Sequence, residues 1–391
     1  MRPLLVFGAR PNFMKIAPLY RAMRSRPGWE PVLVHTGQHF DASMSGDFIR
    51  SLELPVPDVH LDVGPGSQAG QIAEIMKRLE PVILDRAPDV TVVVGDVSST
   101  LAAALTAATL GVPVAHVEAG LRSRDWSMPE ERNRVLVDRL SAYLFTPSPD
   151  ADDNLAAEGI PAERVHNVGN VMIDSLDWVL PRMRPEWVRR PFGVAAGGYG
   201  LVTLHRAGNV DEPLVLLRVM AALAEVAAEL PLLFPVHPRT AARIAGLRGP
   251  NATDGMGVPE DGDAIRLLPP LSYTEFVALL AGAALVLTDS GGIQEEATVL
   301  GVPCLTLREN TERPITVEYG ANELVGTDPR RIVAAATRRL SGRRPAARRP
   351  PGWDGRTAGR IVDVLETASR GGSPRGDDAW EEAGTRRILG A

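Results

Sequence analysis

Asp96, Glu118 and Glu130 fall in two stretches, GDVSST and HVEAGLRSRDWSMPEERNR, in the company of Arg122 and Arg134. Carboxylates gathered in one loop system suit proton transfer, because burial and like charge lift the pKa of one of them toward neutrality. Any one of the three alone reads as a helix cap or a surface ion pair. Their grouping after apolar, strand-like runs is what points to acid–base chemistry.

Cations stand where an anion would bind. In GARPNFMK, Gly8 turns the chain after an apolar run, and Arg10 and Lys15 follow at a helix start whose free N–H groups and dipole favour a phosphate. Taken alone, this segment reads more readily as a glycine turn with two surface bases. TDSGGIQEEA is more specific: Ser290 is expected to cap a helix, Gly291 and Gly292 to let backbone N–H groups approach a diphosphate, and Glu296 to accept both ribose hydroxyls. A capped helix with exposed acids explains Ser290 but gives no reason for two consecutive glycines. His205 closes the run GLVTLH and reads as a partner for a leaving phosphate, whereas His237 in FPVHPRT reads as structural. The chain has neither G-x-G-x-x-G nor a Walker sequence, and its other histidines lack metal-ligand spacing, so no cofactor and no metal are expected.

These groups need a scaffold that brings strand ends together. Short β-branched runs alternate with longer helical segments: PLLVFG, EPVLVHTG, DVTVVVGD, VPVAHVE and AYLFTPS in the first half, then YGLVTLH, PLLFPVHP, AIRLLPP, ALVLTDS and GVPCLTL. That rhythm belongs to βαβ units with buried parallel sheets. With 391 residues the chain is too long for one ordinary core, so the expected fold is α/β, two doubly wound Rossmann-like domains facing a central cleft. The expected boundaries are 1–172 for the first and 173–367 for the second, with the last helix, about Gly355 to Thr367, returning to the first domain and 368–391 a mobile tail.

Composition excludes some classes. A net charge of −6 argues against a nucleic-acid partner, since phosphate backbones call for a positive surface. Cys304 is the only cysteine, so no intramolecular disulfide forms and a reducing, cytoplasmic setting is expected. No apolar run is long enough for a membrane span.

The order of motifs GARPNFMKIAP, TGQHFDASMS, GDVSST, HVEAGLRS, MPEERNR, TLHRAGN, PVHPRT, LTDSGGIQEEA and TERP resembles the bacterial and archaeal non-hydrolysing UDP-N-acetylglucosamine 2-epimerase family, from residue 1 to about 367. The resemblance implies a glycosyltransferase-B-like fold, a homodimer, and a UDP-sugar with its nucleotide on the second domain. It associates Arg10, Lys15, Asp96, Glu118, Glu130, Arg134 and His205 with catalysis or with sugar and diphosphate contacts, and Phe276, Ser290, Gly291, Gly292, Glu296 and Arg313 with UDP. It also implies elimination of UDP to a 2-acetamidoglucal followed by re-addition, with Asp96, Glu118 and Glu130 sharing the proton transfers.

The chain departs from the family pattern in three places. Gln38 to Met44 read QHFDASM where many members carry QHR and further motifs tied to activation by a second UDP-N-acetylglucosamine, so weak or absent allostery is expected. Gly208 replaces an acid in HRAGN, and Val97 replaces a threonine in GDV. The same motifs also resemble the branch acting on UDP-2,3-diacetamido-2,3-dideoxy-glucuronic acid, although TERP, with Arg313, leans toward the N-acetylglucosamine branch. A hydrolysing epimerase, a glycosyltransferase of the same fold and a catalytically dead binding protein are the more distant readings.

Overall fold

A computed structural model of the chain describes residues 1–37, 51–247, 264–342 and 348–370, without the side chain of Arg10. Gln38 to Met44, on which the allosteric expectation rests, and the tail beyond Arg370 lie outside the described residues.

The chain divides into two compact units. The first runs Met1–Trp178 and takes in the chain again from Pro351, and the second is Val179–Pro350. In the first, seven parallel strands are β1 (Pro3–Phe7), β2 (Val32–His35), β3 (Val59–His60), β4 (Val90–Val94), β5 (Val114–Val117), β6 (Tyr143–Thr146) and β7 (Val165–Asn167). They lie side by side in the order β3-β2-β1-β4-β5-β6-β7. In the second, six parallel strands are β8 (Gly200–Thr203), β9 (Leu232–Pro235), β10 (Ile265–Leu268), β11 (Leu285–Thr288), β12 (Cys304–Thr306) and β13 (Asn322–Leu324), in the order β10-β9-β8-β11-β12-β13.

The central strands PLLVF, VTVVV and LVLT are buried along their whole length, as strands covered by helices on both faces must be. On one face of the first sheet, Leu4, Val6 and Val93 pack with Ile75, Leu79 and Ile83 of the helix Gln68–Arg86. The last described helix, Thr357–Arg370, packs on the helix Arg10–Arg24 of the first unit. It is pinned there by the Asp174 carboxylate, which accepts from the amides of Thr357 and Ala358 at 3.1 and 2.7 Å. Among the described residues no helix is long and apolar enough to cross a membrane.

Each sheet reverses its strand order once, between β1 and β4 in the first unit and between β8 and β11 in the second. Loops leaving the carboxyl ends of two such neighbours turn to opposite faces and leave a crevice where open α/β sheets bind ligands. The motifs with chemical promise follow these strands: Gly8 to Lys15 after β1, Asp96 after β4, His205 after β8 and Asp289 to Gly292 after β11.

Candidate active site

In the first unit, Gly8 closes β1 where an added Cβ would collide with the Thr36 hydroxyl. Asn12 accepts the Ala9 amide at 3.0 Å and donates to the Val94 carbonyl at 3.2 Å, tying the helix start to the end of β4. Lys15, on the next turn of that helix, is buried and ion-paired with buried Glu118 beyond β5. Its ammonium lies against Gly95, whose φ of 67° and missing side chain both matter, since a Cβ would stand 2.8 Å from Lys15 Nζ. Glu118 itself has φ 74°, a left-handed conformation that a residue with a Cβ enters only under restraint. The restraint comes from the Lys15 pair and from its own amide, which donates to the Phe145 carbonyl at 3.0 Å.

Asp96 is ion-paired with Arg134, which also grips Glu131. Glu131 accepts the Ser123 amide at 2.9 Å, the Ser123 hydroxyl at 2.8 Å and the Arg124 amide at 2.8 Å. Burial pushes its carboxyl up, yet the Ser123 hydrogen bonds and the Arg134 charge hold it below the usual carboxylate range. Of the two acids opening the helix Pro129–Leu140, Glu131 therefore fixes the loop. Glu130 is half-buried, and no hydrogen bond or ion pair engages its side chain among the described residues. It stands four residues before Arg134, on the same face of the helix. Lys15–Glu118 and Asp96–Arg134 thus gather at the reversal point of the first sheet. The Arg10 side chain lies outside the described residues.

In the second unit, His205 leaves β8 with its ring more than half exposed and Nδ1 2.8 Å from Asp289 Oδ1 at the end of β11. Asp289 is fully buried and also accepts the amides of His205 and Arg206 at 3.1 and 3.0 Å and Asn209 Nδ2 at 3.1 Å. Burial raises its carboxyl, but the His205 ring and these donors hold it below the usual range. An ionised, acceptor-only Asp289 fixes a proton on Nδ1 and leaves Nε2 as the presented atom.

Ser290 takes the N-cap position of the helix Gly291–Leu300, but its side chain caps no amide, a correction to the sequence reading. Its own amide instead donates to Thr288 Oγ1 at 3.0 Å, and the Arg313 guanidinium lies over this helix end. A Cβ at Gly291 would come within 2.7 Å of Arg313 Cζ, a packing reason for the first glycine that the sequence did not disclose. Gly292 follows at the second helical position. Arg313 Nε donates to Glu295 at 2.6 Å. Glu312, buried among Arg308, Arg206 and Arg313, resists burial's upward push and sits well below the usual carboxylate range. Glu296 is buried and accepts the Tyr273 hydroxyl at 2.7 Å. Burial pushes its carboxyl up to about 7. Phe276 is partly buried against the core of this unit. Tyr273, Glu131 and the accepting role of Asp289 were missed from sequence; an aspartate directly after the largely apolar strand LVLT was the one available signal.

Two Rossmann-like units, each with charged groups at the reversal of its strand order, define a two-domain α/β enzyme of the glycosyltransferase-B-like class. The sequence pattern of the UDP-N-acetylglucosamine 2-epimerase family matches residues 21–366, and the chain belongs to that family of isomerases. It is 40% identical to the UDP-N-acetylglucosamine 2-epimerase of Methanocaldococcus jannaschii, over 93% of this chain and 99% of that one. The crystal structure of the enzyme from that organism in complex with UDP-GlcNAc and UDP superposes with a TM-score of 0.86, covering 94% of this chain and all (100%) of the other. The chain is also 41% identical to the UDP-2,3-diacetamido-2,3-dideoxy-D-glucuronate 2-epimerase of Pseudomonas aeruginosa, over 86% of this chain and 91% of its relative.

Proposed function

We propose that this enzyme interconverts UDP-N-acetylglucosamine and UDP-N-acetylmannosamine. The observation that carries the reading is the pairing of two carboxylates with two cations, Glu118 with Lys15 and Asp96 with Arg134, at one sheet reversal. Inversion at C2 needs a base that takes the C2 proton while the C1–oxygen bond breaks, its electron pair leaving with UDP and the C–H pair forming the C1–C2 double bond. Return of a proton to the opposite face and re-addition of UDP complete the exchange, with no net redox change.

In this reading Glu118, Asp96 and Glu130 handle the proton, and Lys15, Arg10, Arg134 and His205 offset charge on the diphosphate as it departs. Ser290, Gly291, Gly292, Glu296, Phe276 and Arg313 hold the nucleotide. His205, anchored by Asp289, supports the leaving-group role because it presents Nε2 outward. We also propose a homodimeric, cytoplasmic enzyme.

The second reading, action on the diacetamido-uronate, rests on the 41% identical Pseudomonas relative. Offering each UDP-sugar separately and resolving the products by anion-exchange chromatography with mass detection tests both. Formation of UDP-N-acetylmannosamine is the expected result; turnover of the uronate alone would move the assignment to the second substrate.

A further inference from the structure

Below the carboxylate turns of the first unit runs a buried charge network that the proposed chemistry does not use. His116 of β5 is fully buried, with Nε2 2.8 Å from the Gly95 carbonyl and Nδ1 2.7 Å from Asp138 Oδ1. Asp138, also fully buried, takes the Arg122 guanidinium at 2.8 Å and the Gly120 amide at 3.2 Å on its other oxygen. Arg122 in turn holds Glu158 with two bonds, of 2.7 and 2.9 Å.

Burial raises the Asp138 carboxyl, but His116 and Arg122 hold it below the usual range, so it is ionised and has no proton to give. The Gly95 carbonyl has none either. Both ring nitrogens of His116 therefore face acceptors, a geometry that two N–H donors satisfy.

Their positions along the chain give the network a purpose. Gly95 immediately precedes Asp96, while His116 and Gly120 stand two residues before and two after Glu118. Asp138 thus grips the Glu118 turn directly through the Gly120 amide and the Asp96 turn through His116. Of the three left-handed residues in these turns, Gly95 at 67°, Glu118 at 74° and Gly120 at 80°, the two glycines adopt that backbone freely, whereas Glu118 needs outside restraint to keep it.

We propose that Asp138, through a buried His116 imidazolium, is the positioning residue that sets the spacing of Asp96 and Glu118. The proposal rests on the reading that these two carboxylates exchange the C2 proton. A displacement of about 1 Å between such groups is enough to cost roughly 100-fold in rate.

The test has two arms. In wild-type protein labelled with ¹⁵N-histidine, both His116 nitrogens should show the protonated, pyrrole-like shift of an imidazolium; one nitrogen at the unprotonated shift overturns the proposal, and this arm needs neither turnover nor a variant. In Asp138→Asn, kcat for epimerisation should fall about 100-fold while the affinity for UDP, measured by calorimetry, stays within about twofold. An unchanged kcat, or a loss of UDP affinity parallel to the loss of kcat, overturns it. Absence of epimerisation by the wild-type enzyme, with the imidazolium signature present, would instead remove the function proposed above.

Discussion

His205 and Asp289 form a pair in which a ring more than half exposed is anchored, at 2.8 Å, on a carboxylate with no solvent exposure. The arrangement orients the ring and places a carboxylate counter-charge beside Nδ1. Asp289→Asn turns an NH₂ group or a neutral oxygen toward Nδ1 and removes that counter-charge. The expected outcome is a fall in kcat of about 10 to 100-fold with secondary structure intact, followed by steady-state kinetics alongside circular dichroism. Wild-type kinetics in the variant would remove His205 from the chemistry.

Lys15 and Glu118 are both buried, so deleting one partner strands the charge of the other. Lys15→Met should cost about 3 kcal/mol of stability, and Glu118→Gln a comparable amount. The double variant should lose less than the sum, a coupling that urea denaturation of all four proteins would reveal. Strict additivity would mean that the pair is not a unit.

Glu296 carries a pH signature. Its carboxyl moves from an ordinary value of 4.5 in the unfolded chain to about 7 in the fold, so between these values the folded state binds the extra proton. Stability contributed by the neutral form is complete below pH about 4.5 and is lost as the pH rises through 7, by roughly 3 kcal/mol. Glu296→Gln, neutral at every pH, should flatten that slope, as thermal melts between pH 4.5 and 8 would show.

Much of the scaffold was readable because the long strands are apolar runs with glycine or charge at their ends: PLLVF, VTVVV, LVLT. The edge strands Val59–His60, Val165–Asn167 and Asn322–Leu324 were not, since two or three residues carry no periodicity. Gly8, Lys15, Asp96 and Glu118 were legible as strand-end chemistry, but the pairing of Lys15 with Glu118 depends on β1, β4 and β5 being neighbours. Asp138 was hidden altogether: within PEERNRVLVDRL it reads as one more surface charge, and only its complete burial beside His116 reveals its role. The N-cap position of Ser290 was legible, but not that its side chain bonds no helix amide while its own amide turns back to Thr288.

Val97 marks a place where this chain gives up local stability. It occupies the N-cap of the helix Ser98–Thr109 without a side-chain hydrogen bond, next to Asp96. Val97→Thr, nearly equal in shape, supplies the missing acceptor and should raise the urea midpoint by an amount worth about 1 kcal/mol with an unchanged m-value. No shift in the midpoint would show that the helix end is satisfied in another way.

The most direct test of the central claim is proton NMR of the purified enzyme with UDP-N-acetylglucosamine in D₂O, with Glu118→Gln as the control. UDP-N-acetylmannosamine is expected to accumulate with deuterium at C2, and the control to lose this exchange. Epimer formed with the original hydrogen retained at C2, or no epimer and no exchange, would contradict it.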